Sequence, residues 1–555
     1  MIGPTSCWPQ AGGDKPQKPA AASISGRVVD LAGAPIAKAR VSAEVGSSEI
    51  GQTPRSYVVG STADGTFTLG GLDAGKYQIV VERSGYLREV FESRTSGAWI
   101  ALTPGQEMTD IVVRLTREAS LTGRILDEDH DPVANVSVKL FRFTHHVGLR
   151  RAEQFGFGET DSTGAFRLTG IGPGRYYLVA IPRQTLIESS PLASGEKIQY
   201  GYIPTYYGGS AEASGAAPIV IAPGESATAG DLTLRKARIV HIRGRVNADA
   251  FSGDLARTIV VHADPDDERS GVGPFGEPSA RVSKTDGTFD IVATPGQYIL
   301  VVTPSMGRMK ILGQESLTVA ETDVENVVVS LLSAEVEGNF VYADPKPSQD
   351  KASQSKAPDV ASSAALPRVL LLPDGPEATS HASQAVKNGS FSIRDVSPGR
   401  YQVRIAGLPP DVYLQGIRSD GGEDLMSTDL DLTRGGRRVI TVTLSRSAAT
   451  LDGSVVDDDG KPLPDIIVTL APKHLDARQA HRYLRSVSNE SGHFTMVGLP
   501  PGDYCLYTWK ELADGDEFDD ELLQREAGRC TSAELQEKGN QNVQLTFEPL
   551  KSPGQ

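Results

Sequence analysis

Cysteine, aromatic residues and positive charge are all in short supply in this chain of 555 residues. Lys and Arg number 55 against 70 Asp and Glu, so the formal net charge is −15. Nucleic-acid binding wants a basic stripe, and the linear sequence has no Lys/Arg cluster beyond pairs such as Arg437-Arg438; nucleic acid is therefore excluded as a partner. No apolar run reaches the roughly 18 residues a membrane-spanning helix needs, so no spanning segment is expected. Aromatics make up only 6% while Gly (58) and Pro (35) are frequent, a balance that suits many short strands joined by tight turns rather than long helices.

The three cysteines are Cys7, in an irregular N-terminal stretch, and Cys505 and Cys530, both near the C-terminal end. A Cys505–Cys530 disulfide would staple the intervening loop and imply an oxidising compartment. Spacing leaves open whether the two come close enough to bond. The first 23 residues, MIGPTSCWPQAGGDKPQKPAAAS, carry neither a basic start nor an apolar core, so they do not read as a signal peptide. Two readings follow: a cytoplasmic protein if this start is the true one, or an exported protein whose signal lies upstream.

What the chain has in abundance is repetition. DSTGAFRLTGIGPGRYYLVA (161–180) is echoed by DGTFTLGGLDAGKYQIVV (64–81), DGTFDIVATPGQYILVV (286–302), NGSFSIRDVSPGRYQVRI (388–405) and SGHFTMVGLPPGDYCLYTW (491–509). Length alone suggests three or four domains at roughly 150 residues each; a fixed internal period is the stronger signal and points to five units. Asp and Gly make the first turn, since Asp bonds nearby backbone and Gly accepts positive φ. The Phe that follows (67, 166, 289, 391, 494) is placed to fall into the core. In the second turn Pro and Gly suit a type II geometry, with Ala74 replacing Pro in the first copy. The turn residues are Gly75 and Tyr77, Gly174 and Tyr176, Gly296 and Tyr298, Gly399 and Tyr401, and Gly502 and Tyr504. Each Tyr ring is expected to pack inward with its hydroxyl reaching backbone, as in a tyrosine corner.

Ahead of these motifs stands a strand–turn–strand segment: SGRVVDLAGAPIAKARV (25–41), LTGRILDEDHDPVANVSVKL (121–140) and LDGSVVDDDGKPLPDIIVTL (451–470), with thinner versions opening at Ile242 and Val336. Each unit closes on an alternating strand, such as PGQEMTDIVVRL (104–115) or EKGNQNVQLTF (537–547). These motifs together resemble the carboxypeptidase regulatory-like domain, a transthyretin-like family grouped with carbohydrate-binding-like and collagen-adhesin B-type repeats. The resemblance covers about 23–549 and implies an all-β chain of five tandem seven-stranded Greek-key sandwiches, with one short helix in the last.

The expected layout is a disordered tail (1–22), sandwich one (23–117), sandwich two with a Tyr-rich extension (118–236) and sandwich three (237–333). Sandwich four (334–446) carries a Ser/Ala/Lys/Pro-rich insert at about 344–367, too poor in apolar surface to order itself. Sandwich five (447–549) holds a helical insert at about 515–527, where Phe518, Leu522 and Leu523 recur at helical spacing, and a short tail (550–555) follows.

No H-E-x-x-H or other carboxypeptidase-type zinc set occurs, and His145-His146, adjacent on a strand, point to opposite faces. Gly70–Lys76 matches the opening of a phosphate-binding loop, but it is also the first copy of the second turn, and Tyr77 stands where the magnesium-holding hydroxyl belongs. The acidic turns Asp127–Asp131 and Asp457–Gly460, and the carboxylates Asp514, Asp516, Asp519 and Asp520, are weak calcium candidates that read better as turns and a helix start. First strands lack an inward Lys, so the isopeptide crosslink of adhesin repeats is not expected. No catalytic residue, metal ligand or cofactor is expected.

Tyr200, Tyr202, Tyr206 and Tyr207, with Trp99, form the candidate ligand site, because exposed rings suit stacking on sugars. The alternative is that these tyrosines pack the long final loop against its sandwich. Trp509 is expected to be buried against the helix. The expectation is a non-catalytic, exported scaffold at the cell envelope with a protein or glycan partner. Carbohydrate binding through sandwich two, or service as an accessory to a peptidase, are the alternatives.

Overall fold

A computed structural model describes residues 21–45, 56–91, 99–146, 149–182, 188–191, 197–247, 259–265, 278–304, 310–343, 367–373, 380–383, 389–510, 512 and 515–548. Cys7, both terminal tails beyond these bounds, nearly all of the Ser/Ala/Lys/Pro-rich insert, and Asp514 lie outside the described residues. The chain is built almost wholly of strands in paired sheets, with one α-helix (α1), Asp520–Arg525, among the described residues. No described helix is long and apolar enough to cross a membrane.

One pairing scheme recurs in the first, third, fourth and fifth repeats. The opening strand lies at the centre of a sheet, antiparallel to the strand that carries the motif Phe and parallel to the closing strand. In the first repeat Ala22–Asp30 sits between Thr66–Leu72 and Glu107–Leu115. Ala334–Tyr342 and Ala449–Val456 take the same place in the fourth and fifth. The second sheet is centred on an antiparallel pair, the strand after the first turn against the Tyr strand: Arg40–Val45 with Gly75–Glu82, and Ile467–Pro472 with Gly502–Trp509. The apolar faces of the two sheets meet in a core. In the first repeat Ile24, Val28, Phe67 and Leu69 from one sheet join Val41, Tyr77 and Ile79 from the other, all buried.

A glycine and an aromatic ring explain why two distant motifs travel together. Gly26, Gly244, Gly338 and Gly453 in the opening strands stand directly across from Phe67, Phe289, Phe391 and Phe494. A Cβ on Gly453 would lie 2.4 Å from the Phe494 ring, and one on Gly338 would lie 2.5 Å from Phe391 and 2.2 Å from the Ile440 carbonyl oxygen. The ring occupies the space that a side chain on the facing strand would need.

A buried hydroxyl is a second recurrent part. Ser61 Oγ accepts from the Ala39 amide and donates to the Ile36 carbonyl. Thr160 does the same for Val136 and Val133, and Ser488 for Ile466 and Leu463. In the third repeat the corresponding backbone hydrogen bond comes from Val282, which has no hydroxyl to offer.

The tyrosine hydroxyls donate four residues back: Tyr77 to the Asp73 carbonyl, Tyr401 to Ser397 and Tyr504 to Pro500, each at 2.8 Å. Tyr298 instead meets the Thr294 hydroxyl at 2.9 Å. The turn before them departs from the type II expectation. Gly174 and Gly502 sit at φ 156° and 144°, well away from the value near +80° that a type II turn requires. The glycine begins the strand, and the following Tyr ring folds back over it, 3.3 Å from where a Cβ on Gly399 would be.

Contacts divide the chain into two compact units. One holds the described residues through Gly123 with Phe166–Arg175 and Ile219–Gly230; the other holds Arg124–Ala165, Tyr176–Pro218 and everything from Asp231 onward. Within the second unit, Arg235–Asn247 serves two sheets. Its first half pairs with Lys197–Ile203 of the Tyr-rich extension, and its second half opens the third repeat.

Candidate functional site

The Tyr-rich extension is used largely as structure. Tyr202 and Tyr206 are buried, contrary to the exposed-ring expectation for them: the strand of Tyr202 is paired on both flanks, and Tyr206, on an edge strand, turns its ring inward onto the strand beside it. Tyr206 packs edge-on against Phe141 in a cluster with Val179 and Ala213. The Lys236 ammonium stands 6.0 Å from the Tyr202 ring centre. Tyr200 and Tyr207 are half-buried, and the Tyr207 amide donates to the Leu178 carbonyl. Trp99, 41% exposed, belongs to the other compact unit.

The insert of the fifth repeat has a more definite build. Helix α1 is flanked by 3₁₀ turns, Asp516–Phe518 and Ala527–Arg529, and Asp519 caps it by accepting from the Leu522 amide. The expected continuous insert helix is thus a six-residue helix between two tighter turns. Leu523 is fully buried with Tyr483, Tyr507 and Trp509 in a small core on the outer face of the Tyr strand. Trp509 Nε1 donates to Thr469 Oγ1 at 2.9 Å, and the Arg529 guanidinium lies 5.3 Å from its ring centre. Cys505 and Cys530 are bonded, which ties the end of the insert to the strand it covers.

The insert meets a projecting arm of the second repeat. Val136–His146 and Leu149–Glu159 run 11 residues each, against 6 and 4 for the corresponding strands Ile467–Pro472 and Leu484–Val487. The extra length carries the arm to the fourth and fifth repeats. Arg151 Nη2 donates to the Pro373 carbonyl at 2.9 Å. Gly515 abuts the His145 carbonyl so closely that a Cβ would lie 1.8 Å from its oxygen, and its φ of 91° already suits glycine. Beside it, burial and then Asp519 push the Asp516 carboxyl above the usual carboxylate range, while His145 and Arg142 pull the other way.

Buried charge also marks the junction of the fourth and fifth repeats. Arg404 is 9% exposed, its Nη2 donates to Gln402 Oε1, and burial brings its pKa down to about 10 against the pull of Asp429 and Asp476. Arg478 reaches from the fifth repeat to the Ser427 carbonyl at 3.2 Å and Asp429 at 3.6 Å. Burial, with Arg404 and Arg482 nearby, lowers the His481 pKa to about 4, so this imidazole is neutral at pH 7. The arrangement holds strands and repeats in place.

The acidic turns have their own use for oxygen. Asp127 Oδ1 accepts from the amides of Asp129 and Asp131, and Asp457 Oδ1 from those of Asp459 and Lys461. Asp519 caps α1 and Asp520 accepts from the Tyr483 hydroxyl. Among the described residues no group of three or more His, Cys, Asp or Glu is placed to hold a metal ion. Of the histidine pair, His145 is half-buried in the arm.

Residues 23–116 match the family model of the carboxypeptidase regulatory-like domain, so the chain opens with a domain of that kind. A 236-residue stretch is 26% identical to Colossin-A of Dictyostelium discoideum, covering 40% of this chain but 2% of that protein's length. Among solved structures, a streptococcal ancillary pilin is 11% identical, with a TM-score of 0.19, over 56% of this chain and all of that one. A minor pilin of Streptococcus agalactiae is 16% identical, with a TM-score of 0.19, over 39% of this chain and 96% of that one. Scores at this level carry no argument about function.

Proposed function

We propose that this protein is a non-catalytic scaffold of five β-sandwich modules, divided near residues 117, 236, 333 and 446, that presents binding surfaces outside the cytoplasm. The observation that carries the reading is the way the modules are joined. The strand Arg235–Asn247 belongs to two sheets at once, so the second and third repeats share hydrogen-bonded backbone instead of a free linker. Residues 331–333 alone separate the third closing strand from the fourth opening strand, and 446–448 the fourth from the fifth. Joints of this kind keep surfaces in register, as a scaffold requires and a tethered enzyme does not.

The Cys505–Cys530 bond supports the extracytoplasmic part of the reading, because structural disulfides persist in oxidising compartments. The test is thiol alkylation of the protein as it exists in its own cells, followed by mass spectrometry. Unmodified Cys505 and Cys530 support export; both thiols labelled before reduction would place the chain in a reducing compartment and overturn that part. Limited proteolysis addresses the joints: cuts at residues 331–333 or 446–448 as fast as in a free peptide would overturn the stiff-scaffold reading.

A further inference from the structure

In the first repeat the fold assembles a basic trough that the linear sequence conceals. Lys38 and Arg40 flank the start of one strand, Arg83 follows the end of the neighbouring strand, and Arg88 returns after the turn beyond it. All four line one open trough of about 400 Å³ with Glu82, Ser84 and Tyr86. Glu82, directly across the strand pair from Arg40, is the single carboxylate in this lining. It accepts from Arg40 at 2.9 Å and stands 3.5 Å from Arg88, so one acid serves two guanidiniums. Four cations against one carboxylate leave three positive charges there, on a chain whose net charge is −15.

Lys38 differs from its counterparts in two other repeats. Its backbone is left-handed, φ 58°, and its amide donates to the Ser61 carbonyl. The same position and bond recur at Asn135 (φ 57°, to Thr160) and Asp465 (φ 67°, to Ser488). Asn and Asp are the non-glycine residues that tolerate this conformation well, and Lys is not among them. The first repeat therefore places a cation where the fold favours a short polar or acidic residue.

We propose that this trough binds an acidic polysaccharide, a glycan bearing carboxylate or sulfate groups at intervals along its length. Guanidinium groups match carboxylate and sulfate oxygens in forked geometry. The trough is open and so accessible to an extended chain, and the Arg117 guanidinium, 5.6 Å from the centre of the Tyr86 ring, adds a further cation beside it. A nucleic acid fits less well, because it carries a charge every ~1.7 Å of duplex and would meet the repulsion of the acidic remainder of the chain over a long contact.

The test is affinity electrophoresis of the full chain at low salt through gels holding polygalacturonate, dextran sulfate, neutral dextran or oligodeoxythymidylate. Lys38→Asp/Arg83→Gln is compared with the parent; Asp is what the fifth repeat carries at the same backbone site. The expected result is retardation by an acidic glycan and not by neutral dextran, weakened at least ten-fold in the variant and abolished by added salt. Three results would overturn it: no retardation by either acidic glycan, equal retardation of the variant, or stronger retardation by the oligonucleotide. Arg83→Gln alone, with its thermal unfolding checked against the parent, keeps the comparison decisive if the double variant folds poorly.

Discussion

Gly338 and Phe391 illustrate how much of this fold is specified by single atoms. The ring lies over the glycine from the facing strand, and the Ile440 carbonyl closes the other side. Gly338→Ala therefore has nowhere to put its methyl group, and the opening strand must shift away from both neighbours. The expected cost is about 2–3 kcal/mol for the fourth repeat. Hydrogen–deuterium exchange should show Ala334–Tyr342 and Ser390–Val396 losing protection, with the first repeat unchanged. The Gly in the opening strand and the Phe in the later turn were both legible in the sequence; their dependence on each other was not, because the contact crosses strands more than fifty residues apart. The buried hydroxyls of Ser61, Thr160 and Ser488 are not legible in the sequence for a related reason: a lone Ser or Thr ahead of a turn has the signature of turn chemistry, and its two backbone partners lie 22 to 27 residues earlier in the chain.

At the scale of elements, the insert of the fifth repeat depends on a covalent tie and a small core. Its helix has six residues, far fewer than an isolated helix needs to persist in water. Leu523, packed with Trp509 and Tyr483, and the bond from Cys530 to Cys505 supply what helix propensity cannot. Closing a loop of this length is worth about 3 kcal/mol in the chain-entropy account. Cys530→Ser should therefore leave the sandwich folded and loosen the insert, measured as faster proteolysis after Arg525 or Arg529 and a red shift of Trp509 fluorescence. The junction with the fourth repeat should respond to acid. Because the folded pKa of His481 lies below its ordinary value, the stabilisation is complete above about pH 6.5 and is lost as pH falls through about 4. The protonated ring would stand beside Arg404 and Arg482, at an expected cost of up to about 3 kcal/mol. His481→Gln should flatten the pH dependence of unfolding between pH 7 and 4 in guanidinium titrations; an unchanged slope would remove His481 as its source.

Across the whole molecule, contacts link repeats that are distant in sequence. The arm of the second repeat touches Pro373 of the fourth and Gly515 of the fifth. Gly515→Ala is the sharpest probe of that contact, since its methyl group would overlap the His145 carbonyl oxygen and the alanine would be strained at positive φ. The expected outcome is release of the arm with each sandwich intact. Exchange of the Arg142–Ala152 amides should rise, while thermal unfolding of the core strands moves little. Unaltered exchange in the arm would mean the contact contributes nothing to holding it.

The sequence by itself determined the β-sandwich architecture, the five-fold repetition, the inward Phe and Tyr, the return of the Tyr77, Tyr401 and Tyr504 hydroxyls to nearby backbone, and a short helical insert. All of these follow from local periodicity and turn chemistry, which act over a few residues. Only the tertiary structure decided which tyrosines of the extension face inward, that one strand serves two repeats, that the arm reaches the insert, and that Lys38, Arg40, Arg83 and Arg88 share one trough. Those outcomes depend on which strands become neighbours. Pairing brings together residues far apart in the chain and turns alternate side chains to opposite faces, so a ring is buried or a charge is clustered only when its neighbours are in place.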